Sequence, residues 1–407
     1  MRAVVLCAIC AALAAPRASA QSLSLTESEA LARLSPDSPR VRAIRGAIEV
    51  ARADVLSADR WPNPRFTFDR ESVAGQTETM AMVGQVLPIT GRRGLEVEAA
   101  SAMVGAAEQR ADDALRRARA DLRLVFAQLA AAQARERELT TARDRLNEVA
   151  GVLAKREAAG DAAGFDRLRA EREVVDLDAD RASAAVDRAR AQAALSSFFG
   201  DPVDPSRIVA VERPSSATAT AVPPLDALIE TAASKRGDLR ALRKELEAAQ
   251  LSARAADRRN VPEPEIVAGA KSSNAGGGDV GTVVTVIAPI PIFDRSRPER
   301  ALALARERQA QARVEALRLT LRSDLSALRT AVVDRRAVAS RYRTAVSSAG
   351  EIERIAQVSY DAGERGILEL LDAFRVGSSA RTRQASLELA AREAEIELEF
   401  ASGWEIP

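Results

Sequence analysis

The sequence predicts a mainly α-helical exported protein with a small membrane β-portion, built from two copies of one structural unit. Three observations predict this class. They are an internal repeat along the whole chain, helical stretches too long for an ordinary globular domain, and two pairs of strands long enough to cross a bilayer. Each chain is expected to supply four β-strands and two long coiled-coil hairpins.

The first 20 residues form a predicted secretory signal. A charged start is followed by an apolar run from Ala3 to Ala15 and by a small-residue cleavage site at residues 18–20. Both cysteines, Cys7 and Cys10, lie inside this segment. We therefore expect a mature chain with no thiol chemistry and no disulfide.

The composition excludes several functional classes. The 59 basic and 58 acidic residues nearly cancel, and removing the two arginines of the signal leaves 57 against 58. This balance disfavours nucleic-acid binding, which needs a concentrated basic face. The chain has no histidine, so catalytic triads and zinc sites lack their usual residues. We predict a protein that is not an enzyme, with no catalytic residue, cofactor site or metal site.

The internal repeat defines the predicted domains. Matching residues recur 203 positions apart, in the pairs Pro88 and Pro291, Gly160 and Gly363, and Gly200 and Gly403. Chance rarely produces such a constant offset. The predicted boundaries are a signal at 1–20, a first repeat at 21–200, a connector at 201–224, a second repeat at 225–403 and a tail at 404–407.

Each repeat is predicted to contain helices, a strand hairpin and a helical hairpin, in that order. In the first repeat we expect helices at Leu25–Leu34 and up to Arg60, strands at Arg65–Val73 and Thr79–Leu87 joined around Gly75-Gln76 (hairpin 65–88), and a helical hairpin at 92–199. In the second we expect helices at Leu225–Ser234 and Asp238–Arg259, strands at Glu265–Ser272 and Val280–Ile290 (hairpin 265–291), and a helical hairpin at 296–402. The segment Gly200–Pro224 is rich in Pro, Ser and Thr, so it is predicted to connect the repeats without a core element.

The helical stretch Arg92–Ala158 contains no proline, and its 67 residues would extend over about 100 Å. Ten of its twelve heptad positions between Leu115 and Leu153 are apolar, which is typical of a coiled coil. Small residues also fill other faces. This pattern suits a helix with neighbours on both sides, as in a closed ring of helices.

The strands are predicted to be the membrane portion. Phe66 and Phe68 share one face while Asp69 and Glu71 share the other, an alternation typical of a barrel strand. The run Val280–Ile290 is apolar on both faces, so its lipid-facing side is not assigned. The predicted membrane-interface residues are Trp61, Phe66, Phe68 and Phe293. Four strands cannot close a barrel, so several chains must share one if the hairpins lie in lipid. Two hairpins that cap a soluble bundle are the alternative.

The repeats, the proline-flanked hairpins and the segment from Tyr360 to Asp372 (YDAGERGILELLD) resemble the TolC-like outer-membrane factor family. The resemblance implies a homotrimer with one twelve-stranded β-barrel in outer-membrane lipid. It also implies an α-helical barrel that extends across the periplasm, with an equatorial belt. Such a passive duct docks on a periplasmic adaptor (membrane fusion) protein and an inner-membrane pump.

Residues 87–93 (LPITGRR) and 289–295 (PIPIFDR) resemble the cobalt–zinc–cadmium resistance branch of that family. This resemblance implies a pump of the resistance–nodulation–division type and divalent heavy-metal cations as cargo. Drug efflux and type I protein secretion remain alternatives. From other classes, a periplasmic adaptor and a coiled-coil structural spacer remain as well.

The helical hairpins reverse at glycines, which suit the positive φ of a helix C-cap. We expect these tips, Gly160 with Asp161 and Gly363 with Glu364, to contact the adaptor. Beyond the second tip, Glu369 and Asp372 share a helix face, and a trimer would repeat them as an acidic ring at the duct entrance.

Asp166 occupies the matching position in the first repeat and joins the predicted entrance gate. The resemblance implies a polar latch in which Asp166 pairs with Tyr360 and Arg365. Gly366 replaces a larger residue of the family and would loosen this latch. The alternative is that these charges form an ordinary solvated helix face.

Overall fold

The computed structural model describes residues 22–160, 164–211, 220–293 and 295–405. The chain divides into two compact units. We call them the helical unit (Met1–Arg42, Arg116–Leu228 and Leu325–Pro407) and the strand unit (Ala43–Leu115 and Ile229–Asp324). None of the described helices combines the length and the apolar character that a bilayer crossing requires.

An order of two helices, two strands and two helices occurs twice along the chain. The elements are β1 (Leu23–Leu25), α1 (Glu27–Ala32), α2 (Pro39–Ala58), β2 (Arg65–Val73), β3 (Gln76–Val86), α3 (Arg92–Ala158), α4 (Gly164–Ser196), β4 (Ile208–Ala210), α5 (Leu225–Lys235), α6 (Gly237–Arg258), β5 (Glu265–Ser273), β6 (Asp279–Ile287), α7 (Arg297–Asp361) and α8 (Ile367–Ser402). The predicted fold class, long helices with four strands, is confirmed.

The strand unit contains one antiparallel sheet in the order β2-β3-β5-β6. Strand β3 begins at Gln76, three residues before the predicted start, because Ala74 and Gly75 alone form the turn with positive φ. Strand β6 ends at Ile287 and does not reach the predicted Ile290, because Pro289 has no N–H to donate to the strand ladder.

The strand register assigns every side chain of the sheet to a face, because directly paired residues share one. One row runs from Phe66 through Val83 and Ala268 to Val284, and it belongs to the apolar face. A row on the opposite face contains Asp69, Met80 and Lys271. The even-numbered valines of β6 therefore share the face of Phe66 and Phe68. The sequence alone left this side unassigned.

The helical unit is organised around α3, which begins and ends at the predicted residues. Its predicted heptad positions form the core seam, listed here with their exposed fractions: Leu122 0%, Leu129 0%, Leu139 4%, Leu146 3% and Leu153 2%. Two heptad positions are charged, and both face α4. Glu136 pairs with Arg188 at 3.0 Å, and Arg143 lies 3.3 Å from Asp178. Because each of these charged side chains has an oppositely charged partner on α4, both are accommodated in the seam.

The prediction that the connector holds no core element is wrong. Strand β4 lies within it and pairs in parallel with β1, and Ile208 is fully buried. The side chains of Gln133 on α3 and Gln192 on α4 hydrogen-bond the backbone of β4, at 3.2 Å and 2.7 Å. The predicted helix at Leu25 starts two residues later, because Thr26 and Glu29 form a capping box at its N-terminus.

Glu27 on α1 holds α1 and the neighbouring β1–β4 sheet against the long helices. Its carboxylate accepts hydrogen bonds from Arg123 of α3 at 2.6 Å and from Arg392 of α8 at 2.9 Å. Burial by itself lowers the pKa of the Arg123 guanidinium, but hydrogen bonds and charge from Glu399 and Glu27 outweigh it and raise the pKa above its usual value. We call the side of α3, α4 and α8 that carries α1, β1 and β4 the covered side.

Candidate functional site

The two helical hairpins reverse at glycines, as predicted. Gly160 has a φ of 80° and Gly363 a φ of 72°, values that L-residues with a side chain rarely adopt. The N–H of Gly363 donates a hydrogen bond to the carbonyl of Tyr360 at 3.0 Å, and the N–H of Glu364 donates one to the carbonyl of Ser359 at 2.9 Å. These bonds satisfy the last carbonyls of α7. Asp161, the predicted contact residue of the first tip, lies outside the described residues.

Tyr360 and Arg156 bring the two tips together. The Arg156 guanidinium lies 5.6 Å from the centre of the Tyr360 ring, and its Nη1 donates to the Tyr360 hydroxyl at 3.4 Å. Sequence reasoning did not identify Arg156. The repeat offset of 203 aligns Tyr360 with Glu157 and not with Arg156, so comparing the repeats would not have found it.

Glu369 and Asp372 lie in the first turns of α8, on one exposed face. The opposite face of the same turns, with Ile367, Leu370 and Leu371, is buried in an apolar cluster that includes Leu153. The carboxylate of Asp372 accepts a hydrogen bond from Arg375 at 2.8 Å. The acidic face is thus directed away from the core, and Arg375 partly neutralises it.

The remaining predicted latch residues lie near the same end of the helical unit. Asp166 is half-buried in the first turn of α4, and Arg365 is exposed in the turn before α8. Within this chain, the hydroxyl of Tyr360 contacts Arg156. A pairing of Asp166 with Tyr360 or Arg365 across neighbouring copies stays a prediction.

A charged cluster joins three helices beyond the tips. Glu353 of α7 is buried and pairs with Arg381 of α8 at 2.9 Å and with Arg145 of α3 at 3.5 Å. Arg381 also pairs with Glu138 of α3 at 3.0 Å. Such a buried pair holds its partners in one arrangement, because separating them leaves an uncompensated charge.

The predicted membrane-interface residues expose large apolar surfaces in the strand unit. Phe66 and Phe68 project from the apolar face of the sheet, and both are more than half exposed. Trp61 precedes β2 and Phe293 follows β6, so both lie at one end of the sheet, where Phe293 is 99% exposed. The Arg93 guanidinium lies 5.4 Å from the Trp61 ring. Among the residues that the structure describes, no group of three or more carboxylates is placed to hold a metal ion.

Comparisons with known proteins bear on the whole chain. The family model "Outer membrane efflux protein" matches residues 228–404. The cobalt-zinc-cadmium resistance protein CzcC of Cupriavidus metallidurans is 25% identical over 374 residues, which cover 90% of this chain and 87% of that protein.

Solved structures share the fold. A membrane protein from Pseudomonas aeruginosa superposes with a TM-score of 0.79 at 21% identity, covering 93% of this chain and 92% of that one. The outer membrane protein VceC from Vibrio cholerae gives 0.74 at 17% identity, covering 93% and 96%. These matches confirm the TolC-like resemblance, the outer-membrane location with a large periplasmic extension, and the prediction that the chain is not an enzyme. Over residues 228–404 the chain is similar to the outer membrane efflux protein family, and over most of its length it shares the fold of these solved structures.

Proposed function

We propose that three copies of this chain form one passive duct in the outer membrane, the outer component of a tripartite efflux system. One observation carries the proposal: the single chain leaves two kinds of surface that need a neighbour. They are an exposed apolar stripe along α4 and the two open edges of the sheet.

Helix α4 has a heptad stripe that is exposed in the single chain. Its nine positions are Phe165, Leu168, Arg172, Val175, Ala179, Ala182, Val186, Ala189 and Ala193. Eight of the nine are apolar, and all nine are exposed. A repeat of this kind over four heptads is the seam of a coiled coil, so it supports a partner helix from another chain.

Helix α7 provides a matching surface. Its exposed face carries Val338, Ala345, Ile352 and Ile355 at heptad spacing. Leu168 follows Gly160 by eight residues, and Ile355 precedes Gly363 by eight, so the stripes are level when counted from the tips. A contact from α4 of one copy to α7 of the next uses two different surfaces, and such a contact can close into a ring.

The sheet supports the same assembly. Among the described residues, β2 pairs only with β3, and β6 pairs only with β5. In lipid, unpaired backbone groups cost several kcal/mol each, so these edges need partner strands. Three chains of four strands supply twelve, which is within the range of known closed barrels. The exposed Phe66, Phe68, Trp61 and Phe293 would then contact the hydrocarbon and its interface.

The hairpin tips are the proposed contact with the periplasmic adaptor, and through it with an inner-membrane pump of the resistance–nodulation–division type. In a trimer, the exposed Glu369 and Asp372 repeat three times and form an acidic entrance, and the latch residues Asp166, Tyr360 and Arg365 link neighbouring hairpins. Converging carboxylates attract cations. The proposed cargo is therefore a divalent heavy-metal cation, in line with the name of the curated relative.

Two experiments test this function. The mass of the detergent-purified protein should correspond to three chains, and a stable folded monomer would contradict the duct. Deletion of the gene should sensitise cells to Co²⁺, Zn²⁺ and Cd²⁺ while leaving tolerance of a drug panel unchanged. Sensitivity to drugs alone, or a defect in protein secretion alone, would assign another cargo to the same duct.

A further inference from the structure

A cavity of about 390 Å³ lies within the helical unit between α3, α4 and α8. Its floor is formed by small side chains, of which Ala131, Ala184 and Ala191 are buried, and Leu389 lines the α8 side. This volume is within the range of small-molecule sites, about 300–1,000 Å³. An apolar body of modest size fits against such a floor.

The rim of the cavity has one carboxylate between two guanidinium groups. Arg135 Nη1 lies 3.7 Å from Asp187 Oδ2, and Arg190 Nη1 lies 3.8 Å from Asp187 Oδ1. Both distances exceed that of a hydrogen bond. Two cations share one anion here, which leaves one positive charge in excess. Farther along the groove, Gln128 donates to the carboxylate of Glu393 at 3.0 Å.

The cavity opens away from the covered side. At about 100° per residue, Asp187 and Ala194 lie roughly 140–160° around α4 from Gln192, which binds β4. On α3, Ala131 and Arg135 each lie two residues, or about 160° around the helix, from Gln133, which binds β4. In the proposed duct, three copies of the covering elements would block the bore if they lay inside. The covered side therefore faces outward, and the cavity faces the bore.

We propose that this cavity binds an organic anion with a compact apolar body. The anionic group lies at the rim between Arg135 and Arg190, and the body packs on the alanine floor. Charge complementarity selects the anion, because a cation would meet the surplus guanidinium charge. This ligand class differs from the divalent cations proposed above. The inference depends on the proposed function only for the direction in which the cavity faces.

Equilibrium dialysis of 2-naphthalenesulfonate against the full chain in nanodiscs tests this site, with binding to empty nanodiscs subtracted. We expect saturable binding of one probe per chain. Arg190→Gln should weaken it about tenfold, because one charge-assisted contact is lost. Ala194→Trp should abolish it by filling the mouth. Both residues are exposed at the rim, so neither change threatens folding.

Arg137→Gln is the matched control, since Arg137 is an exposed arginine of α3 outside the cavity. It should bind the probe as the unmodified chain does. No saturable binding, or equal binding by all variants, would overturn the site. Equal binding of a naphthyltrimethylammonium cation would overturn the assignment to anions. The dialysis needs no conducting channel, so its failure leaves the trimer and the duct untouched.

Discussion

The carboxylate of Glu353 on α7 occupies the place that a methyl group at Gly377 of α8 would need. Glu353 is only 7% exposed, and its charge is balanced by Arg381 and Arg145. Position 377 is therefore glycine because a residue with a Cβ atom would displace the Glu353 carboxylate. The room that glycine leaves allows this buried charge to bridge three helices.

Gly377→Ala should destabilise the protein. Alanine favours the helix by roughly 1 kcal/mol, but it displaces Glu353 from its partners, and breaking a buried pair costs roughly 3–5 kcal/mol. We expect a lower midpoint of thermal unfolding, measured by circular dichroism in detergent. Gly350→Ala on α7 is the control, because a methyl group there meets nothing within 4 Å, so it should leave the midpoint unchanged or raise it. Equal shifts for both variants would contradict the account of Gly377.

Arg336→Ala should also destabilise the chain, by roughly 3–5 kcal/mol. The Arg336 Nε donates at 2.6 Å to Glu395, whose side chain is fully buried, so its loss leaves this buried carboxylate with only the longer contact to Arg392, at 3.4 Å, among the ion pairs of the described residues. The control is Arg354→Ala, which removes an ion pair with Glu351 in which both side chains are largely exposed. Chemical unfolding should separate the two variants clearly, and an Arg336→Ala variant as stable as the control would refute this role of the pair.

Long periodic elements were predictable from the sequence, and short or paired features were not. Helix α3 was predicted to the residue, because its heptads and the prolines before it are local signals. The three-residue strands β1 and β4 have no period to detect, so they were missed. The facing of β6 depends on its pairing with β5, since Val283 and Val284 are equally apolar.

In the candidate site, too, local features were predictable from the sequence and side-chain contacts were not. The positive φ of Gly160 and Gly363 follows from a glycine at a helix end and was predicted. The contact of Arg156 with Tyr360 and the pair of Asp372 with Arg375 depend on side-chain packing. Charged residues are frequent along every helix of this chain, so the sequence did not distinguish these partners from solvated neighbours.

The entrance gate predicts a change of ion selectivity. Glu369→Ala combined with Asp372→Ala should weaken cation selectivity and block by trivalent cations, because two rings of carboxylates are lost. The reversal potential of the channel in a planar bilayer under a salt gradient measures the selectivity. Glu49→Ala with Asp54→Ala removes two exposed acids of α2 and is the control. Unchanged selectivity in the Glu369 and Asp372 variant would mean that these acids line no pore.

The latch predicts a change of conductance in the same bilayers. Arg365→Ser removes a charge from the exposed turn before α8 and should raise the single-channel conductance, because neighbouring hairpins are then held less tightly. Arg297→Ser, at the start of α7, is an exposed control of equal charge. A conductance that is the same in both variants would exclude Arg365 from the latch.

The tips predict the site of the adaptor contact. Cysteines introduced at Asp161 or Glu364 should form crosslinks to the adaptor in cells, because these residues flank the tip glycines. Cysteines at Gly75 or Gly277, in the turns of the strand hairpins, are the controls and should form none. The reverse pattern would place the strand hairpins, and not the helical tips, against the adaptor.

The central claim is that three copies close a ring through α4 of one copy and α7 of the next. Leu168→Cys combined with Ile355→Cys tests it most directly, since both positions are exposed and level with each other when counted from the tip glycines. A disulfide requires Cα atoms within about 7 Å, so it forms only if the two stripes meet. On oxidation of the membrane-embedded protein, we expect covalent species of two and three chains, with none from either single variant. Single chains only, or a ladder that continues beyond three, would contradict the closed ring.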